Sequence, residues 1–311
     1  MSQFSIGTRG SPLALWQAHE VQRLLCQSLG LDVAAAPLNI IRTSGDKIQD
    51  RALAEAGGKG LFTKEIDEAQ FDGRARLAVH SAKDLPTRLP DGLIIGGFLP
   101  RAAVQDALIS RHGGGLEALP IGARIGTASL RRQALLKRLR PDLQTDLLRG
   151  NVETRLRAIS EGRFDATLLA RAGLDRLGLA HHATAILDET HFPPAPGQGA
   201  IAITIRADDP DAVQAVAAIA CPATGFALKA ERAFLDCLDG SCRTPIAGYA
   251  RLVEDQLEFS GLLLSPDGQH SCARQTRGPV DQAEALGRQA GLEIIAAAPA
   301  LLPSAPTQAT S

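Results

Sequence analysis

The chain has 311 residues, 45% hydrophobic and 22% charged, and its 33 Lys and Arg against 34 Asp and Glu give a formal net charge of -1. That balance belongs to a packed globular protein and excludes a disordered, collagen-like or disulfide-rich chain; no apolar run reaches the ~18–20 residues of a membrane span. The first residues lack the basic start and apolar stretch of a secretory leader, so the expected location is the cytoplasm.

Through the first two thirds, apolar runs of strand length alternate with stretches of helical period, which predicts βαβ units. Residues 4–8 read as a strand, and Ser11 and Pro12 then open a helix as N-cap and first turn. Its core face carries Leu13, Trp16, Val21, Leu24 and Leu25. Further strands are expected at 37–42, 76–80 and 93–98, with a helix over 61–71. A second series follows: a strand at 123–127, a helix capped by Ser129 and stopped by Pro141, and a strand at 145–148. Asn151 caps the next helix, and a strand at 165–170 follows. After the Pro/Gly-rich stretch 193–199, residues 199–206 read as a buried strand.

The two series share a short echo. Ile6-Gly7-Thr8 with Ser11 recurs as Ile125-Gly126-Thr127 with Ser129. Each places a strand end, a glycine and a hydroxyl N-cap in succession, which aims free backbone N–H groups and a helix N-terminus at one point, as an anion site requires. Beyond Cys221 the pattern changes to a helix over 224–238, alternating strands at 246–253 and 257–264, an Asp267-Gly268 hairpin turn and a last amphipathic helix over 280–298. The Ser/Thr/Pro-rich tail from Pro303 is expected to be disordered.

The near-neutral total conceals an asymmetry. Residues 124–176 hold twelve Lys and Arg against six Asp and Glu, and 27 of the chain's 33 basic residues are arginine. Arginine grips carboxylates and phosphates through two parallel hydrogen bonds, so a basic window in a neutral chain points to a local anion site. GC-rich coding accounts for arginine excess equally well. Arg131 and Arg132 occupy a helix's first turn, the wrong end for its dipole, and a local rule broken without evident gain points to function. Arg149, Arg155, Arg171 and Arg176 repeat the theme at later strand ends and first turns.

His80, Ser81, Lys83 and Asp84 directly follow an apolar strand, where open α/β sheets bind ligands. On that segment alone the structural reading is favoured, with Lys83 and Asp84 a solvated pair and His80 a satisfied core residue. Asp84 precedes Leu85-Pro86, which stiffens the turn and suits an acid that steers a cationic intermediate. Residues 57–60 form a glycine-rich loop with Lys59, without nucleotide-loop spacing, and read as a lid. The five cysteines, at positions 26, 221, 237, 242 and 272, form neither a disulfide framework nor a metal cluster, and the ordinary role of each is that of a small buried hydrophobe. Cys242 lies in a Gly/Ser turn and is the one expected to be exposed.

Seven ordered segments together resemble the porphobilinogen deaminase (hydroxymethylbilane synthase) family: 6–18, 57–65, 80–86, 126–132, 148–155, 196–201 and 239–245. The resemblance implies two periplasmic-binding-protein-like α/β lobes plus a small α+β C-terminal domain. On the boundaries read here, lobe 1 spans 1–99 with 197–219, lobe 2 spans 100–196, and the third domain spans 220–302. It also implies the joining of four porphobilinogen molecules, with loss of ammonia, on a dipyrromethane cofactor held as a thioether, which matches Cys242. The catalytic aspartate matches Asp84, which would stabilise the azafulvenium-like cation left after deamination. The carboxylate ligands match Arg9, Ser11, Ser81, Lys83, Ser129, Arg131, Arg132, Arg149, Arg155 and Arg176. A monomer with a small-molecule substrate and no nucleic-acid, membrane or metal partner is implied. Two departures stand out: Ser241 replaces a usual glycine, and Ala103-Val104-Gln105 replaces the Asp-Pro-Arg expected before Asp106. The rival reading is a non-catalytic two-lobed binding protein for a small carboxylate, which leaves Asp84 and Cys242 without a task.

Overall fold

In the computed structural model, which describes residues 3–47, 60, 62–238 and 244–302, the strand–turn–helix echo occupies equivalent places in two sheets. In the first lobe, β1 (Ile6–Thr8) leads into α1 (Pro12–Leu29), followed by β2 (Leu38–Ile40), α2 (Ser44–Lys47), α3 (Lys64–Phe71), β3 (Leu77–Ser81) and β4 (Leu93–Phe98). The second lobe holds β5 (Asp106–Ser110), β6 (Arg124–Gly126), α4 (Leu130–Leu139), β7 (Gln144–Asp146) and α5 (Val152–Ser160). It closes with β8 (Ala166–Ala170), α6 (Arg171–Arg176) and β9 (Ala185–Ile186). The chain then returns as β10 (Ile201–Arg206) and α7 (Pro210–Ala217).

β10 inserts between β3 and β4, giving the order β2-β1-β3-β10-β4; the second sheet runs β7-β6-β8-β5-β9. β1 lies parallel to β2 and β3, as β6 does to β7 and β8. Each sheet also contains one reversed strand: β10 is antiparallel to β3 and β4, and β5 to β8 and β9. These reversals mark where the chain leaves one lobe and re-enters the other, and βαβ periodicity alone does not reveal them. Ser11 and Ser129 cap α1 and α4 as expected, accepting from Ala14 N (3.3 Å) and Arg132 N (3.4 Å).

The third domain packs α8 (Pro222–Cys237) and α9 (Ala283–Ala297) on an antiparallel sheet of β11 (Ile246–Val253), β12 (Gln256–Leu264) and β13 (Ser271–Pro279). Its core joins Phe234, Phe259, Leu257, Leu263 and Ile294, and includes Leu85 from the loop after Asp84. That shared core ties the third domain to the first lobe. The Asp267-Gly268 turn reaches the second lobe instead, where a Cβ at Gly268 would collide with the Arg138 amide at 2.8 Å. Among the described cysteines Cys26 alone is buried; Cys221, Cys237 and Cys272 are half-buried, and all four are free. Among the described residues no single helix is long and apolar enough to cross a membrane; α7 and α8 together would be, but they meet at a 110° bend.

Candidate functional site

The strand ends of the two lobes face a shared cavity of about 650 Å³. Its wall carries six cationic side chains, Arg9, Arg42, Lys83, Arg132, Arg149 and Arg155, against the carboxylates Asp84 and Glu153. A smaller cavity of about 80 Å³ adjoins it and shares Arg9, Ser11, Phe62 and Asp84, adding Gln17, His80 and Ser81. Arg9, which lines both spaces, stacks its guanidinium 4.2 Å from the Phe62 ring centroid. Ser81 exchanges hydrogen bonds with the Gln17 amide.

Asp84 closes a single 3-10 turn, Ala82–Asp84, that continues β3. The third domain secures the next stretch of chain, since Arg232 donates to Pro86 O (2.9 Å) and Thr87 O (2.6 Å). On the other side the 193–199 crossing passes against the Lys83 backbone: Gly197 has φ +78°, and a Cβ there would lie 2.8 Å from Lys83 N. Only glycine fits both demands.

Lys83 is reached by solvent through the cleft yet enclosed by protein, and this loss of hydration, with Arg132 nearby, draws its pKa down to about 8. Its Nζ donates to Gln198 Oε1 at 3.3 Å. Desolvation likewise draws Arg155 down to about 10, and its Nε donates to Gly150 O.

Arg131 and Arg132 are almost fully buried and converge on Asp106 at the start of β5. Arg131 Nη2 meets Oδ2 at 2.6 Å and Arg132 Nη2 meets Oδ1 at 2.7 Å. Arg131 also donates to Pro193 O, and Arg132 to Leu168 O. Burial opposes the Asp106 charge, but the two guanidiniums outweigh it and hold the carboxyl well below the usual carboxylate range. The broken dipole rule is thereby resolved: an anion sits between the two arginines at the head of α4. Arg131 faces this pair and Arg132 also lines the large cavity, with its Nε buried and lacking a partner.

The geometry therefore separates the expected ligands. Arg9, Ser11, Ser81, Lys83, Arg132, Arg149 and Arg155 line one or both cavities with Asp84. Ser129, Arg131 and Arg176 stand off both walls. Arg176 donates to Gly199 O at 2.8 Å and lies 5.6 Å from the Trp16 ring, joining α6 to the crossing and to α1. Cys242 and Lys59 lie outside the described residues. Arg42 went unread in the sequence although it follows an apolar strand, the same signal that marks Arg149. Gln198 and Gln17 carry no local signal.

A cavity with this excess of cations fits a ligand bearing several carboxylates. The family model described as "Porphobilinogen deaminase, dipyromethane cofactor binding domain" matches residues 4–214. The model of the family's C-terminal domain matches 226–296. This chain belongs to the porphobilinogen deaminase family. Porphobilinogen deaminases from Nitrobacter winogradskyi and Nitrobacter hamburgensis are 56% and 53% identical over 290 residues, covering 93% of this chain and 92% of each relative. Among solved structures, a YaeC-family lipoprotein from Enterococcus faecalis is 13% identical with a TM-score of 0.41, over 71% of this chain and 92% of that one. An ancestral cationic amino acid solute binding protein is 15% identical with a TM-score of 0.42, over 69% and 86%. The family resemblance read from the seven sequence segments is thus borne out.

Proposed function

We propose that this chain condenses four porphobilinogen molecules head to tail into the linear tetrapyrrole hydroxymethylbilane, releasing one ammonia at each addition. The observation that carries the reading is the large cavity, whose lining combines six cations with Asp84. Each substrate brings an acetate and a propionate, so the growing product is a polyanion, and clustered guanidiniums and Lys83 bind such a molecule with charge-assisted hydrogen bonds.

The dipyrromethane of this family, attached in our reading through the Sγ of Cys242, supplies the pyrrole ring to which the first substrate is joined. Arg9, Ser11 and Ser81 orient the incoming molecule in the smaller cavity. Lys83, Arg132, Arg149 and Arg155 hold carboxylates of the growing chain. Ser129, Arg131 and Arg176, which the resemblance also matched to carboxylate ligands, support this wall by capping α4, holding Asp106 and holding the crossing. Asp84 accepts from pyrrole N–H groups and offsets the positive charge that develops as the substrate's methylene–nitrogen bond breaks and ammonia leaves. Lys59, which lies outside the described residues, keeps its reading from the sequence as part of a glycine-rich lid loop. We read the protein as a cytoplasmic monomer without nucleic-acid or membrane partners, divided into lobes and a third domain at the boundaries given above.

Mixing the protein with porphobilinogen tests the reading directly. Ammonia release is expected, and the intact mass of reduced, unfolded protein should exceed the sequence mass by one dipyrromethane. Cys242→Ser should lose both. A carboxylate-binding protein would instead saturate with porphobilinogen and release nothing.

A further inference from the structure

The polar network behind Asp84 determines which nitrogen of His80 carries a proton. His80, at the end of β3, is buried, and its Nε2 lies 3.2 Å from Thr204 Oγ1 on β10. The Thr204 hydroxyl donates to Gln70 Oε1 at 2.8 Å, and Gln70 Nε2 donates to Thr204 O at 2.9 Å. The second bond fixes which end of the Gln70 amide is nitrogen, so the first bond consumes the only hydroxyl proton of Thr204. Thr204 Oγ1 can then meet His80 only as an acceptor. His80 is therefore the Nε2–H tautomer, and Nδ1 carries a lone pair. Burial, with the nearby Arg9 charge, draws its pKa down to about 4, so the ring stays neutral at ordinary pH. The ring forms part of the wall of the small cavity that also holds Asp84, Arg9 and Ser11.

We infer that His80 is a substrate-binding residue whose Nδ1 accepts a hydrogen bond from the aminomethyl ammonium of porphobilinogen beside Asp84. The inference rests on the proposed reaction and deepens it. Arg9 and Ser11 offer donors suited to a carboxylate, whereas Asp84 offers acceptors alone and His80, its Nε2–H spent on Thr204, offers only the Nδ1 acceptor. An acceptor pair next to a cationic anchor suits a molecule with a carboxylate at one end and a donor-only cation at the other.

Two measurements test it. Nitrogen NMR of the histidine-labelled holoenzyme should show His80 protonated at Nε2 and bare at Nδ1; a ring protonated at Nδ1 overturns the inference. The second measurement is the KM for porphobilinogen in two holoenzyme variants whose folding is checked by melting temperature. His80→Asn keeps a polar atom where Nδ1 stood, and His80→Gln keeps one where Nε2 stood. If Nδ1 binds the substrate, the Gln variant should have a KM about tenfold or more above the Asn variant, as expected for a lost hydrogen bond to a charged group. A Gln variant equal to or better than the Asn variant assigns His80 a purely structural part through Thr204 and overturns the inference. Wild-type protein that releases no ammonia would instead defeat the proposed reaction, while the tautomer result would stand.

Discussion

Lys83 and Asp106, which belong to different lobes, are joined through one buried amide. Gln198 Oε1 accepts from Lys83 Nζ at 3.3 Å, while its Nε2 donates to Asp106 Oδ1 at 3.0 Å and to Val104 O at 2.7 Å. Asp106 in turn holds Arg131 and Arg132. A single side chain in the crossing thus links the residue beside Asp84 to the ion cluster of the second lobe.

Gln198→Leu should break this link while filling similar volume. It would leave Lys83 and Val104 O without a partner and remove one donor from Asp106, at a cost of about 1–3 kcal/mol in stability. The KM for porphobilinogen should rise with it. Urea unfolding and steady-state kinetics on the same preparation would check both, and an unchanged KM would show that the lobes keep their spacing without the amide.

Asp106→Ala should be far more damaging, because it leaves two guanidiniums buried without their anion. Removing one member of a buried ion cluster typically costs ~3–5 kcal/mol. Arg131→Leu should mainly lower the melting temperature, since Arg131 faces Asp106 and Pro193 O. Arg132→Leu should also reduce the fraction of protein carrying dipyrromethane, because Arg132 lines the cavity as well. Comparing melting temperature with intact mass across the three variants separates the two effects.

Asp84→Asn keeps shape and removes charge. Its turn is held from outside by Arg232 and by the shared third-domain core, so the fold should be unaffected. Turnover should fall by about 10²–10³. Single-turnover ammonia release is the direct measurement, and wild-type rates in the folded variant would remove Asp84 from the reaction.

Lys83 predicts a pH dependence. Its pKa is drawn down to about 8, so its positive charge is present below that pH and is lost above it. If only the charged form binds a carboxylate, the KM for porphobilinogen should be flat below pH 7 and about tenfold higher at pH 9. Lys83→Arg keeps its charge throughout this range and should flatten the rise, whatever its effect on the absolute rate.

Much of this was legible in the chain itself, because the signals are local. Ser11 before Pro12 caps and opens a helix from local chemistry alone, and the polar side chains of Ser129 and Asn151 cap theirs in the same way. Apolar runs of strand length located most of the parallel strands, and seven short segments identified the family. Two reversed strands, β5 and β10, required the tertiary structure, since a strand's direction depends on where the chain re-enters a sheet. The same is true of the partners of the cations. Asp106 lies 25 and 26 positions from Arg131 and Arg132, and Gln198 lies 115 from Lys83 and 92 from Asp106. In sequence Arg131, Arg132 and Lys83 stand out as candidate anion ligands, but nothing there names Asp106 or Gln198 as their partners. The packing of α4, the turn after β3 and the crossing around the start of β5 brings them within hydrogen-bond reach, and it thereby decides which arginines face the cavity and which support its wall.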